Sequence, residues 1–533
     1  MKSRSPNIVF ITADQLGAKH LNCYGSGVPS TPALDAIAAK GTRFDRYYAS
    51  SPVCTPNRAV MLTGRSSVVN GMIGNNFTLN SDTPTYAQVL KYHGYHTGGF
   101  GKFHQCPMPL PHPADFSHLG FDESVITEDP KWGAYTEWIR THHPEHFDAA
   151  LAVAWHEPKM HTPLPDERYE NEYVQEVRRE ILDPLRTASP WDQVYTSPLP
   201  AECHQTTWIT DLALDYMTRR REEDPDQPFM CVVSYVDPHD PYDPPKPYDT
   251  MFDPEDMPEP IPAAWKAEGN ALFDEAQSWL GFKPFAENIE TIKTLRAHYH
   301  GSIKFIDDQI ARIAAYLEAN DLWENTILVF STDHGEALGD HQLICKGWIP
   351  YDAGIRCPLI VAGAGVSAQV SNQLTCTLDL FPTFCDWASI PQANRPPVEG
   401  KSVAETCDTG ASSDTWDSVQ IAIDAVESVV SADGWRLTIF DDRNSQNQLI
   451  NLREDPQEQV NRYSDPSCAD VRLRMFEQLA HHSMRVRSTQ QYRNLPVVGD
   501  RKRMPGGPGN GGLGSPMPLY CDPADTPHFG AMK

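Results

Sequence analysis

The sequence lacks any run that approaches the roughly 20 consecutive apolar residues of a membrane-spanning helix, which excludes an integral membrane protein of that kind. Basic residues are also in the minority, because 44 lysines and arginines face 71 aspartates and glutamates, for a net charge of −27 at pH 7. A nucleic-acid-binding protein needs a basic surface for the phosphates, so this balance argues against such a partner. An anionic small substrate is still possible, since lysine, arginine and metal can make a single cleft positive.

Cysteine is scattered rather than clustered. The 12 cysteines in 533 residues form no CxxC pair and no dense framework, which in a chain this long favours reduced thiols over disulfides. The apolar stretch from Ile8 to Thr12 is too short for the apolar region of a signal peptide, and no small-residue cleavage site follows it. These observations predict a cytoplasmic protein.

Continuous apolar runs rich in β-branched residues predict strands that are buried on both faces, as in parallel sheets. The runs are Asn7–Ala13, Phe229–Val236, Thr326–Ser331 and Pro358–Ala362. Helical spacing lies between them, at Trp208, Leu212 and Tyr216 and again from Ile303 to Leu317, with Asn320 as the expected end. Strands that alternate with helices predict an α/β fold with a large, mostly parallel sheet flanked by helices.

The chain is long enough for one large domain and a smaller one. We predict a catalytic domain at residues 1–385, in which residues from about 105 to 200 form an insertion at the rim of the substrate cleft. For residues 386–500 we predict a small α+β subdomain with an antiparallel sheet. Its predicted elements are strands at Ser418–Ile423, Trp435–Phe440 and Gln448–Leu452 and a helix at Cys468–Met484. The Gly/Pro-rich tail at residues 501–533 is either disordered or an arm over a neighbouring subunit.

Polar residues follow several predicted strands. The pair Asp14-Gln15 follows the first strand, His239 follows the second, and the pair Asp333-His334 follows the third. Ligands of open α/β sheets bind at the carboxyl ends of the strands, and carboxylates with an imidazole suit a divalent cation. Taken singly, each Asp is equally well explained as a helix cap.

The segment from Ser51 to Arg65 contains Cys54-Thr-Pro56-Asn57-Arg58. Pro56 can open a helix, so Cys54 is expected just before a helix N-terminus, where the dipole favours negative charge. Arg58, one turn into the helix, can hold an anion or an alkoxide. A buried cysteine before an ordinary helix is the alternative interpretation.

Cys-x-Pro-x-Arg followed by Leu62-Thr-Gly-Arg65 resembles the signature of the type I sulfatases, a family within the alkaline phosphatase superfamily. Further segments are similar to motifs of that family and occur in the family's order, between residue 7 and about residue 460. They are Gly101–His104, Pro238–Tyr242, Asp333–Glu336, Lys346 with Tyr351-Asp352, and Asn451–Pro456.

The resemblance implies an alkaline phosphatase-like fold and a hydrolase that splits sulfate monoesters into an alcohol and inorganic sulfate. It implies that a maturation enzyme oxidises Cys54 to formylglycine, whose hydrated form attacks the sulfur. It also implies one divalent metal ion, with Ca²⁺, Mn²⁺ and Mg²⁺ as candidates. The metal ligands implied are Asp14, Gln15, Cys54, Asp333 and His334.

The same resemblance implies roles for the remaining site residues. Arg58 and Lys102 stabilise the hydrated aldehyde, and Lys102 also contacts the sulfate. His104 accepts the proton whose loss releases sulfate. His239 and Lys346 flank the leaving oxygen, and one of them is the general acid.

Asp14-Gln15 and Asp333-His334 depart from the Asp-Asp and Asp-Asn pairs of many sulfatases. They resemble the branch that contains choline sulfatases and phosphonate monoester hydrolases, and the imidazole favours Mn²⁺ beside Ca²⁺ or Mg²⁺. Asn57, where Ser is common, is a milder departure. A phosphonate monoester or phosphodiester hydrolase is the nearest alternative, although the Lys102-x-His104 pair favours sulfate. A catalytically silent binding protein is a further alternative.

The alcohol half of the substrate stays open between choline, aryl and sugar sulfates. Trp132, Trp138 and Trp155 either stack on it or belong to the core, and Asn75 and Asn76 either contact substrate or form a turn. We expect a homodimer or a homotetramer.

Overall fold

The computed structural model describes residues 5–75, 77–107, 116–154, 172–186, 193–264, 288–346, 349–412, 414–423, 426–440 and 447–494. The strands of the large sheet are β1 (Asn7–Ala13), β2 (Thr42–Tyr48), β3 (His96–Gly101), β4 (Glu123–Ile126), β5 (Phe229–Ser234), β6 (Thr326–Thr332), β7 (Arg356–Gly363), β8 (Gln369–Ser371) and β9 (Thr375–Cys376). Their order is β4-β3-β5-β1-β6-β7-β2-β8, and β9 also pairs with β2.

The central strand β1 pairs in parallel with β5 on one side and β6 on the other, and all seven of its residues are buried. The strands β3 and β4 continue the parallel arrangement, whereas β7 runs antiparallel to both β6 and β2. The mostly parallel sheet predicted from the apolar runs is therefore confirmed. The limits of β1 are as predicted, while β5 ends at Ser234 rather than at Val236.

Helices cover both faces of this sheet. They are α1 (Pro32–Lys40), α2 (Cys54–Thr63), α3 (Ser67–Asn70), α4 (Tyr86–Tyr92), α5 (Ala134–His142), α6 (Phe147–Val153), α7 (Glu172–Val177), α8 (Gln205–Glu223), α9 (Ile289–Ala319), α10 (Asp352–Ile355), α11 (Leu380–Trp387) and α12 (Ala404–Thr409). The helix α9 ends beside Asn320 as predicted but begins well before Ile303, where the Asn288 side chain accepts a hydrogen bond from the Thr291 backbone N–H.

Successive residues of β1 serve two separate cores, because side chains alternate across a strand. Val9 and Ile11 pack with α8 and α9 on one face, and Ile8 and Phe10 pack with α2, α4 and α11 on the other. The three layers hold the carboxyl ends of the parallel strands at one edge.

Strand β3 was not predicted, because three of its six residues are glycines and give no apolar pattern. Close packing explains two of them. A Cβ at Gly98 would lie 2.6 Å from the Tyr216 ring of α8, and one at Gly99 would lie 2.7 Å from the Phe103 ring. The glycines of β3 are therefore explained by the aromatic rings that pack against the strand, and not by any pattern within the strand itself.

The second sheet is an antiparallel meander of β10 (Ser418–Ile423), β11 (Val426–Ser431), β12 (Trp435–Phe440) and β13 (Gln448–Asn451). The helix α13 (Ala469–Asn494) packs against β11 and β12. This arrangement confirms the α+β character predicted for the C-terminal part, although β11 was not predicted.

The domain limits stay predictions. Residue 385 lies within α11, and residues 123–126 of the predicted insertion form the edge strand β4. The tail at residues 501–533 lies outside the described residues. The 11 cysteines of the described segments are all free thiols. None of the helices in those segments combines the length and the apolarity that crossing a membrane requires.

Gly98→Ala should destabilise the protein by about 1–3 kcal/mol, because the new methyl group overlaps the buried Tyr216 ring. Denaturant unfolding measures the change. Gly354→Ala is the matched control, since nothing lies within 4 Å of its Cβ position, and it should change stability by less than about 0.5 kcal/mol. Equal stability of the two variants would contradict the packing explanation.

Candidate active site

The site lies at the carboxyl edge of the large sheet. Asp14 follows β1, Lys102 follows β3, His239 lies beyond β5 and Asp333 follows β6. Parallel strands bring their carboxyl ends together, so these residues meet although they are far apart in sequence. Strand β2 leads to the same edge, where Cys54 begins α2.

Cys54 is the first residue of α2 rather than the residue before it, and every residue of this helix is buried. Its sulfur lies 3.2 Å from His334 Nε2 and 2.7 Å from Lys346 Nζ. Burial opposes ionisation, but the charges of Lys346, Lys102 and His334 together lower the pKa of the Cys54 thiol well below its ordinary value. The helix N-terminus acts in the same direction. Position 54 therefore favours a negatively charged atom.

Asp14, Cys54, Asp333 and His334 are all buried, and one potential ligand atom from each lies within 4.8 Å of the others. His334 Nδ1 lies 3.0 Å from the carbonyl oxygen of Gly335, which can only accept a hydrogen bond. One ring proton therefore sits on Nδ1. Burial lowers the pKa of His334, but Asp333 and Cys54 outweigh it and raise the pKa, which favours a second proton on Nε2. A bound cation would displace that second proton and take the Nε2 lone pair. Two carboxylates, an imidazole and a fourth donor fit a divalent cation.

Arg58 and Lys102 balance the buried carboxylates. Arg58 Nε donates to Asp333 at 2.7 Å, and its Nη1 donates to the Lys102 carbonyl oxygen at 2.7 Å. The Lys102 ammonium forms ion pairs with Asp14 and Asp129. Burial and the Cys54 charge raise the pKa of Asp14, but Lys102 and Arg58 outweigh them and hold it below its ordinary value. Asp14 is therefore ionised and ready to bind a cation.

Lys346 and His239 occupy another side of Cys54. Lys346 Nζ lies 3.0 Å from His239 Nε2, and it donates to Gln15 Oε1 at 3.1 Å. His239 Nδ1 faces Asp240, at 2.6 Å from its carbonyl and 3.3 Å from its carboxylate. Burial lowers the pKa of His239, but Asp240 outweighs it and raises the pKa to about 10. The raised pKa favours a proton on His239. At 3.0 Å, one of the two facing nitrogens donates and the other accepts, so a proton can pass between Lys346 and His239.

The remaining predicted residues lie in or beside this cluster. The His104 side chain hydrogen-bonds Cys54 and is almost fully buried. The Gln15 backbone N–H donates to Asp333 at 3.0 Å, while its amide oxygen accepts from Lys346.

Asn57 and Asn75 support α2, the helix that Cys54 begins. The Asn57 side chain donates to the Asp333 carbonyl, and Asn75 Oδ1 accepts from the Thr55 backbone N–H at 3.2 Å. Trp138 packs against Tyr135 and Trp208, which supports its core interpretation. Asn76 and Trp155 lie outside the described residues.

Sequence reasoning missed Glu128 and Asp129, which follow the edge strand β4. Asp129 pairs with Lys102, and Glu128 Oε1 accepts the backbone N–H of His104 at 2.8 Å. The sequence feature that could have identified them is the same as for the other site residues, namely that they follow the end of a strand. Because β4 has four residues, three of them only partly buried, the strand itself gave no clear pattern.

A second group of potential metal ligands lies beside the site, and a lysine ammonium already pairs with it. His204, Asp237 and Asp243 are buried close together, and Lys131 Nζ donates to Asp243 at 2.8 Å. The lysine supplies the positive charge that a metal ion would bring.

The family model described as Sulfatase matches residues 6–390, and the one described as N-sulphoglucosamine sulphohydrolase, C-terminal, matches residues 339–485. An arylsulfatase of Clostridium perfringens (strain 13 / Type A) is 29% identical over 411 residues, which cover 75% of this chain and 78% of that protein. The multifunctional alkaline phosphatase superfamily protein PehA of Trinickia caryophylli is 28% identical over 546 residues, which cover 92% of this chain and 98% of that protein. The solved phosphonate monoester hydrolase SpPMH from Silicibacter pomeroyi has a TM-score of 0.70 and 25% identity, and the match covers 90% of this chain and 95% of that one.

A divalent cation should stabilise the fold through the cluster of Asp14, Cys54, Asp333 and His334. At a free concentration of about 100 times Kd, binding adds about 2.7 kcal/mol to the free energy of unfolding. Calorimetry in chelator and then with Ca²⁺, Mn²⁺ or Mg²⁺ measures the gain. Asp333→Asn should lose most of it relative to its own chelated state, and Asp243→Asn should keep it. The reverse pattern would place the ion at the second group.

Proposed function

The chain belongs to the sulfatase family, and we propose that this sulfuric ester hydrolase splits sulfate monoesters through a formylglycine made from Cys54 and one divalent cation. One observation carries the proposal. The side chain at position 54 shares a single buried cluster with two carboxylates and an imidazole, at the N-terminus of a helix and beside Lys346. That arrangement suits a nucleophile that works next to a metal.

A maturation enzyme, with dioxygen as the oxidant, would oxidise the Cβ of Cys54 to the aldehyde and release its sulfur as hydrogen sulfide. Cys54 is only 1% exposed in the fold, so this enzyme must reach the segment before folding buries it. When formed and hydrated, formylglycine supplies one hydroxyl that attacks sulfur and a second whose deprotonation releases sulfate. The maturation enzyme, the oligomeric state and the cytoplasmic location stay predictions.

Asp14, Asp333 and His334 would hold the cation, with Gln15 as a further candidate ligand. A bound cation supplies positive charge that lowers the pKa of a neighbouring hydroxyl and stabilises the sulfuryl oxygens. The mixed carboxylate and imidazole donors suit Mn²⁺ as well as Ca²⁺ and Mg²⁺.

Lys102 and Arg58 provide fixed positive charge on the nucleophile's side. Both are buried and held by carboxylates, so they need no reorganisation when negative charge develops on the substrate. His104, hydrogen-bonded to residue 54, is placed to accept the proton whose loss releases sulfate.

His239 and Lys346 serve the leaving alcohol. Lys346 Nζ lies 2.7 Å from the Cys54 sulfur and 3.0 Å from His239 Nε2, so the two side chains hold a proton between them close to position 54. One of them donates that proton to the leaving oxygen, a step worth about 100-fold or more in rate.

A phosphonate monoester or phosphodiester hydrolase is the second candidate function. The resemblance to PehA and to the solved SpPMH structure favours it, because both span nearly the whole chain. The buried Lys102 and His104 favour sulfate, since they provide a sulfate contact and a base for its release. The silent binding protein is set aside, because every predicted catalytic side chain is present around Cys54.

After coexpression with a formylglycine-generating enzyme, the peptide that contains Cys54 should show the mass of the aldehyde rather than of the thiol. Cys54→Ala should lower the turnover of 4-nitrophenyl sulfate by at least about 10³-fold, because the nucleophile is lost. Peptide mass spectrometry and steady-state kinetics measure the two effects. Cys468→Ala is the control, at a buried cysteine that packs with β11, β12, β13 and α13. Full activity of Cys54→Ala would refute the proposed nucleophile.

Turnover of 4-nitrophenyl sulfate should exceed that of a phenylphosphonate monoester with the same leaving group. Using one leaving group isolates the preference for sulfur over phosphorus. The ratio of the kcat/KM values decides between the two functions, and a clearly higher value for the phosphonate would support the second candidate.

A further inference from the structure

Glu336 lies behind the leaving-group side of the site and is fully buried. Its Oε1 accepts the backbone N–H groups of Leu338 at 2.9 Å and Cys345 at 2.5 Å. Its Oε2 accepts from Gln15 Nε2 at 2.5 Å and from the Tyr242 hydroxyl at 3.1 Å. Both oxygens are thus occupied, and three of the four partners, the two backbone N–H groups and the Gln15 amide, can only donate.

The four donors come from three separate parts of the chain. Gln15 follows β1, Tyr242 closes the loop that carries His239, and Cys345 directly precedes Lys346. Gln15 extends the connection, because its amide nitrogen also donates to Asp240 at 3.2 Å and its amide oxygen accepts from Lys346. One carboxylate therefore links the segments that carry the two candidate general acids.

The backbone beside Lys346 needs such support. Leu338 and Cys345 have φ values of +45° and +63°, in the left-handed region that residues other than glycine rarely adopt. Residues in strained conformations persist when their surroundings hold them there. Glu336 accepts the backbone N–H of both.

We propose that Glu336 is a positioning residue for the leaving group. It holds Lys346 and His239 at the distance from each other, and from residue 54, that proton donation to the leaving oxygen requires. Glu336 does not contact the substrate, so its role acts through these two side chains. The inference rests on the proposed hydrolysis of an ester at residue 54.

Glu336→Gln is the decisive substitution because it keeps the shape of the side chain. A glutamine carries one acceptor oxygen and one NH₂ group, so one side of the cluster would bring donor against donor. Either the Gln15 contact or the backbone contacts at Leu338 and Cys345 would be lost, although the Tyr242 hydroxyl can turn to accept. Lys346 would then shift relative to the leaving oxygen.

The experiment measures kcat/KM for a series of aryl sulfates whose leaving phenols become progressively less acidic, from 4-nitrophenyl through 4-chlorophenyl to phenyl sulfate. A poor leaving group depends on the general acid, whereas a good one does not. Glu336→Gln should lower kcat/KM about 100-fold for phenyl sulfate and less than about 10-fold for 4-nitrophenyl sulfate. An equal loss for all substrates would overturn the inference.

Asp307→Asn is the matched control. Asp307 is also fully buried and also accepts two backbone N–H groups, those of Ala33 and Leu34, but it belongs to α9 and faces the start of α1, away from the site. It should lower stability without changing the dependence on the leaving group. A changed dependence in this variant would show that any buried carboxylate has the effect, and would overturn the specific role of Glu336.

Tyr242→Phe is the second variant, used if Glu336→Gln does not fold. It removes one donor to Glu336 and should change the leaving-group dependence in the same direction by a smaller factor, whereas an unchanged dependence would overturn the inference. Failure of the proposed function is recognised separately, because the mature enzyme without any substitution would then turn over none of the aryl sulfates. If that enzyme prefers phosphonate monoesters, the same series of leaving groups on phenylphosphonate applies the test.

Discussion

The carboxylate of Asp14 is buried at the centre of the site, and its charge must be compensated there. Moving an ion of this size out of water costs several kcal/mol, which only close partners can offset. Lys102 and Arg58 are those partners, and Arg58 also pairs with Asp333. The orientations of the candidate metal ligands and of the fixed cations therefore depend on each other. A site assembled in this way meets developing negative charge without rearrangement.

Backbone strain and buried carboxylates occur together around this centre. Gln15, His104 and Cys345 all have positive φ, and each donates its backbone N–H to a buried carboxylate. The acceptors are Asp333, Glu128 and Glu336, in that order. Each pair joins a residue of the site to a different chain segment. The carboxylates thus act on geometry as well as on charge, and they hold conformations that would otherwise relax.

Sulfuryl and phosphoryl groups have similar shapes, so the metal-binding half of the site suits both. The difference between the two reactions lies in the side chains that release the product and assist the leaving group. Lys102 and His104 are almost fully buried, whereas Lys346 is partly exposed beside His239. In the proposed reaction, the transferred group would lie on this closed inner side and the alcohol on the Lys346 side.

Local patterns predicted the parallel sheet, because a continuous apolar run that ends in Asp14 is a relation between near neighbours. The roles of Cys54 and of the candidate metal ligands came from the resemblance of the Cys-x-Pro-x-Arg segment to the sulfatase signature, and they stay proposals. Strand β3 was not predictable in this way, because its glycines form no apolar pattern and the ring of Tyr216 fills the space beside them. Strand β4 has only four residues, three of them partly buried, and shows no clear pattern either.

What only the tertiary structure decided is which partner each buried group has. The bonds from Gln15 to Glu336 and from Lys346 to Gln15 join positions more than 300 residues apart. Their geometry follows from how the strands are ordered in the sheet. No local pattern encodes that order, because it results from packing the whole chain around two cores.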